Sequence, residues 1–136
     1  MTDRYHATSG HDTDDEARFL IETGIEQVKV DCRLYDEAVE SYNTHLQNHR
    51  DRRNLHDVPF RRPISNHDAF TAVLHGNKAA LDELLAHLLN QPHLDSQLRR
   101  HPRTYPIHLE ALEHLEIARD QLVRSLEEFY RDLEET

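Results

Sequence analysis

Twelve histidines among 136 residues offer more chemistry than any other side chains in this sequence. Imidazole is the commonest protein ligand for transition metals, and it changes charge near neutral pH. His45 and His49 stand four residues apart, so on a helix they share one face and can reach a single ion. His67 opens the next helical segment and is expected at the same pole of the molecule. His87, His93, His101 and His108 are expected at the other pole, with His108 facing the core. The candidate metal ligands are therefore His45, His49 and His67 in one group, and His87 and His108 in the other. A di-iron bundle would need Glu-x-x-His on two helices, whereas Glu110, Glu113 and His114 on the last helix are arranged differently. Surface and helix-cap roles account for most of these histidines, so no cofactor is expected and a metal is the alternative.

Other chemistry finds little support. Cys32 is the single cysteine, which excludes an internal disulfide and a thiolate zinc site; it falls on an apolar stripe, where a buried free thiol is expected. There is no glycine-rich phosphate loop and no serine nucleophile elbow. Arg followed by His after four to six residues, the spacing of helical ribonucleases of the HEPN type, occurs at Arg4–His11, Arg50–His56, Arg61–His67, Arg62–His67 and Arg103–His108. A pattern met five times through composition carries no assignment. The sequence shows no family resemblance and leans away from an enzyme.

The net charge of −10 argues against nonspecific nucleic-acid binding, but it is unevenly spread. A basic loop, Arg50, Arg52, Arg53, Arg61 and Arg62, is opposed only by Asp51 and Asp57, and a second gathers Arg99, Arg100 and Arg103. The acidic rods between these loops suit a partner protein with a basic surface. The expected function is thus a non-enzymatic protein–protein interaction module, such as an acidic inhibitor or regulator. Its alternatives are a His-rich metal-binding bundle and an RNA-binding or nuclease module using the Arg50–Arg62 loop. The polar, acidic N-terminus does not read as a signal peptide, and no apolar run approaches the roughly 18 residues of a membrane span. The expected location is the cytoplasm, that of a host cell if the protein is phage- or mobile-element-encoded.

The elements that must position these groups are helices. Residues 1–12 read as a flexible tail broken at Ser9-Gly10, followed by one domain over 13–136. Apolar residues at Ala17, Ile21, Gly24, Val28, Cys32, Tyr35, Val39, Tyr42 and Leu46 alternate steps of three and four, predicting a helix over 13–49. A second is expected over 66–90, opened by a capping box at Ser65 and Asp68 and running through Gly76 with at most a bend. A third is expected over 105–134, with Pro106 in its first turn. A short extra helix near Leu98 belongs to the second connection. Together these predict an all-α, up-down-up bundle of three long helices.

Two further features follow from helical geometry. Asp31, Asn77 and Arg119 interrupt the three apolar stripes near their midpoints, so a single buried polar layer is expected to join them. Phe19, Val30 and Leu34 form a second apolar arc on the first helix, which marks them as interface candidates and predicts a homodimer.

Overall fold

The computed structural model describes residues 2–49, 58–91, 98–100 and 105–135, with side chains from 15 in the first stretch and from 106 in the last. All the regular structure among them is helical, as the apolar periods predict. Helix α1 spans Thr2–His49, about 72 Å at 1.5 Å per residue. It begins eleven residues before the expected start, so the stretch read as a tail is largely helical. Gly10 weakens a helix by about 1 kcal/mol relative to alanine but breaks no hydrogen-bond ladder, as proline would; the first proline is Pro59.

The last helix, α4, spans Tyr105–Glu135 and lies antiparallel against α1. Gly24 faces Phe129, Asp31 meets Ser125 and His45 meets His108, so one number falls as the other rises. The buried face of α1 is Val28, Cys32, Tyr35, Val39, Tyr42 and Leu46; that of α4 runs from Leu112 to Phe129. The α1 face lies on the predicted stripe. Gly24 has a packing reason: a Cβ there would stand 2.8 Å from Cδ1 of Phe129, so glycine admits the ring.

Between these rods the chain makes two further passes. From Val58 it descends beside α1, held by side chains of that helix. Asn43 grips the Arg61 peptide at both ends, donating to its carbonyl at 2.7 Å and accepting its N–H at 2.9 Å. Asp36 accepts the N–H of Ile64 and the hydroxyl of Ser65, each at 2.6 Å. Ser65 is thus spent on Asp36, and no side chain caps the next helix, so the expected capping box does not form. The descent continues through a 3-10 turn, Ile64–Asn66, and the short helix α2, Phe70–Leu74. Helix α3, Lys78–Leu89, then climbs until Gln91 donates to the Tyr35 hydroxyl at 3.0 Å. The up-down-up order is carried by α1, the descending segment and α3. The descent of α4 is a fourth pass, which is why the first and last long helices are antiparallel.

The helix expected over 66–90 is broken at Gly76. This residue has φ 77°, the left-handed region where glycine is at home. Its N–H bonds to the Val73 carbonyl at 3.0 Å and that of Asn77 to the Ala72 carbonyl at 3.1 Å, the paired bonds of a Schellman terminus. Asn77 then caps α3, its side chain accepting the Ala80 N–H at 3.0 Å. One dipeptide both ends a helix and starts the next.

That assignment removes Asn77 from the expected polar layer, and the layer does not form. Asp31 is buried, at 6% exposure, but its partners are the Gln27 amide at 3.0 Å and the Ser125 hydroxyl. Arg119 lies partly exposed and bonds Asp120 at 3.3 Å. The fourth pass shifts the helix midpoints apart, so they no longer share a level. Of the extra helix near Leu98, Leu98 itself is helical and buried and Arg99-Arg100 form a turn; the remainder lies outside the described residues.

The break makes the sign of one substitution diagnostic. In a continuous helix Gly76→Ala would stabilise by about 1 kcal/mol. At positive φ it should instead destabilise by about 1 kcal/mol, with only an ordinary contact to Leu133 at 3.5 Å. Urea denaturation of the two proteins gives the sign directly.

Candidate metal centre

Antiparallel packing of α1 and α4 sets the last turn of α1 beside the first turn of α4. His45 and His49 come from the former and His108 from the latter. One ring nitrogen from each lies within 4.8 Å of the others. The rings of His45 and His49 are tilted with centroids 4.3 Å apart, and His108 stands edge-on to both at 4.7 and 5.4 Å. His108 is fully buried, whereas His45 and His49 are half-buried.

The hydrogen bonds orient these rings. His49 Nδ1 lies 2.9 Å from the His45 carbonyl, which can only accept, so Nδ1 carries the proton and Nε2 keeps its lone pair. Metal-binding histidines are commonly held this way, with the second nitrogen donating to a backbone carbonyl. His45 Nε2 and His108 Nδ1 are 2.5 Å apart, joined through one proton. Two imidazole nitrogens on a tetrahedral Zn²⁺ stand about 3.3 Å apart, from bonds of about 2.0–2.1 Å, so under about 1 Å of movement admits an ion once that proton has passed to the other nitrogen of its own ring, leaving both rings neutral. Burial lowers the His45 pKa from 6.5, and His49 pushes it the same way. Both effects favour the neutral ring, the form that coordinates. Three nitrogen ligands leave a tetrahedral ion one position for water or another donor.

The structure regroups the expected histidines. His108 joins His45 and His49 rather than His87, and His67 pairs with His87 at 4.7 Å between centroids. The expected poles assumed three passes; the fourth returns the start of α4 to the end of α1. His67 is held in the opposite sense to His49. Its Nδ1 accepts the Ala69 N–H at 3.0 Å, so in the neutral ring Nε2 carries the proton and has no lone pair for a metal. His93 and His101 lie outside the described residues, as do Arg50, Arg52 and Arg53 of the basic loop; Arg61 and Arg62 are described.

The remaining candidates separate clearly. Cys32 is buried and its pKa is pushed up to about 12, first by desolvation and then by Asp36 and Asp31, so it is a packing thiol rather than a nucleophile. Ser125, the partner of buried Asp31, escaped the sequence reading because a lone serine in an apolar stripe carries no signal until its partner is placed. Phe19, Val30 and Leu34 are exposed to 66, 40 and 43%, so no described part of the chain covers them. No described helix is long and apolar enough to cross a membrane.

Comparisons with protein-family models, with curated proteins and with solved structures find no match to this chain.

Proposed function

We propose that this protein is a metal-binding helical bundle that holds a borderline divalent ion, Zn²⁺ above all, on His45, His49 and His108. The observation that carries this reading is the convergence of three imidazole nitrogens within 4.8 Å from two separate helices. The His49 hydrogen bond supports it, because a proton held on Nδ1 by the His45 carbonyl leaves Nε2 as a ligand atom. An all-imidazole donor set favours zinc, copper or nickel over magnesium or calcium. An ion there would tie the end of α1 to the start of α4, adding stability by mass action.

Titration calorimetry of the untagged protein with Zn²⁺ tests the site. The expected result is one equivalent bound, weakened at least about tenfold by either His49→Gln or His108→Gln, and untouched by His67→Gln. Co²⁺ should give the visible absorption of a tetrahedral complex. Binding that ignores His49→Gln and His108→Gln would remove this reading.

The pH dependence has a definite sign. His45 and His87 both have pKa values lowered from 6.5, chiefly by desolvation. The unfolded chain therefore takes up protons before the folded one does. Stability is complete above about pH 6.5 and is lost as the pH falls below it. Protonation also competes with the metal. Melting curves should thus show a larger zinc-dependent rise in Tm at pH 7.5 than at pH 5.5, and an equal rise at both would contradict imidazole coordination.

A second reading, a protein–protein interaction module, draws on the exposed arc of Phe19, Val30 and Leu34. In this reading a second copy packs the arcs together, while the acidic outer faces suit a basic partner protein. Light scattering should then report a dimer that Val30→Glu with Leu34→Glu converts to monomer. A monomer at all concentrations would dismiss the homodimer.

A further inference from the structure

A second cluster of functional side chains lies away from the metal centre, where the descending segment faces α3. Two adjoining hollows of about 440 and 300 Å³ share Arg62, His67, Glu83 and His87. Arg61 and Phe60 line the larger one, Asn66 and Asp68 the smaller. In a chain of net charge −10, this gathering of two arginines and two histidines is an exception.

Two of these basic residues are anchored by hydrogen bonds. The peptide of Arg61 is clamped at both ends by Asn43. His67 is fixed by the Ala69 N–H so that its other nitrogen carries a proton, making it a donor rather than a metal ligand. His87 stands beside it, with ring centroids 4.7 Å apart. Next to Arg61, the Phe60 ring remains 42% exposed at the wall of the larger hollow, as a stacking platform requires. Guanidinium forks and imidazole donors suit phosphate oxygens, and an exposed aromatic face suits a planar base.

We propose that this cleft binds a phosphate group carried beside a planar ring, the chemistry of a nucleoside monophosphate. Arg61, Arg62, His67 and His87 hold the phosphate, and Phe60 stacks on the ring.

Two carboxylates set the pH dependence. Asp68 and Glu83 also line the cleft and offset the two arginines while His87 is neutral. His87 faces His67, Arg61 and Arg62 from the descending segment and Glu83 from its own helix. Burial, followed by those three basic neighbours, keeps its pKa below 6.5 in the empty cleft. A bound phosphate reverses that balance, so binding takes up a proton and tightens as the pH falls.

Calorimetry on the full chain with adenosine monophosphate, inorganic phosphate and adenosine as probes tests the proposal. The expected result is one equivalent of adenosine monophosphate, bound more tightly at pH 6 than at pH 8. Arg62→Gln should weaken the monophosphate and inorganic phosphate alike by about tenfold. Phe60→Ser should weaken only the monophosphate, and His49→Gln, at the metal centre, should change neither. Adenosine binding as tightly as its monophosphate would overturn the proposal. So would a folded Arg62→Gln protein with unchanged affinity, or no saturation by the monophosphate up to about 10 mM.

Discussion

The antiparallel apposition of α1 and α4 is the constraint on which the rest of this molecule depends. Their facing stripes contribute most of the large buried side chains, among them Tyr35, Tyr42, Leu46, Leu122 and Phe129. Burying each such group contributes about 1.5–3 kcal/mol, so no rearrangement that separates the two rods is affordable. Register along the pair is set by shape and by polarity. Phe129 fits only where Gly24 leaves room, and buried Asp31 meets the Ser125 hydroxyl across the helix pair as well as the Gln27 amide on its own helix, since a buried polar group needs hydrogen-bond partners. With the register pinned at those two levels, the meeting of His45 with His108 at the far end follows.

The contrast between His49 and His67 shows how backbone groups decide the use of a side chain. Both are partly buried histidines paired with a second imidazole. His49 donates to a carbonyl one turn back on its own helix, which leaves the lone pair on Nε2. His67 accepts from an N–H at the start of the next helix, which leaves a proton there instead. One arrangement leaves a nitrogen lone pair and the other leaves an N–H. Residue type and spacing are alike for both purposes; the local peptide chooses between them.

Helix α1 also organises the connections. Asn43 and Asp36 reach out to fix Arg61, Ile64 and Ser65, so a segment with little regular structure of its own is placed accurately enough to face α3. These bonds satisfy the backbone groups of Arg61 and the first N–H of the 3-10 turn. The tight turn at Gly76-Asn77 then reverses the chain with almost no loop, which keeps the second pair of histidines close to the arginines that precede it.

Much of this architecture was legible in the residues themselves. Alternating steps of three and four identified the buried face of α1 from Val28 to Leu46, because burying one stripe is the only way such a sequence can exclude water. His45 and His49 were recognisable as a pair because both lie on one helix, where spacing alone fixes distance. Gly76-Asn77 carried its own signal, a helix stop followed by a helix cap, but an amphipathic pattern continuing across it outweighed that signal in the sequence reading. The tertiary structure decided what depends on direction: that the chain makes four passes, that Asp31 pairs with Ser125 rather than with Asn77 and Arg119, and that His108 meets His45 and His49. Periodicity states which face of a helix is buried. It does not state which way the neighbouring helix runs, and that direction determines which distant residues meet.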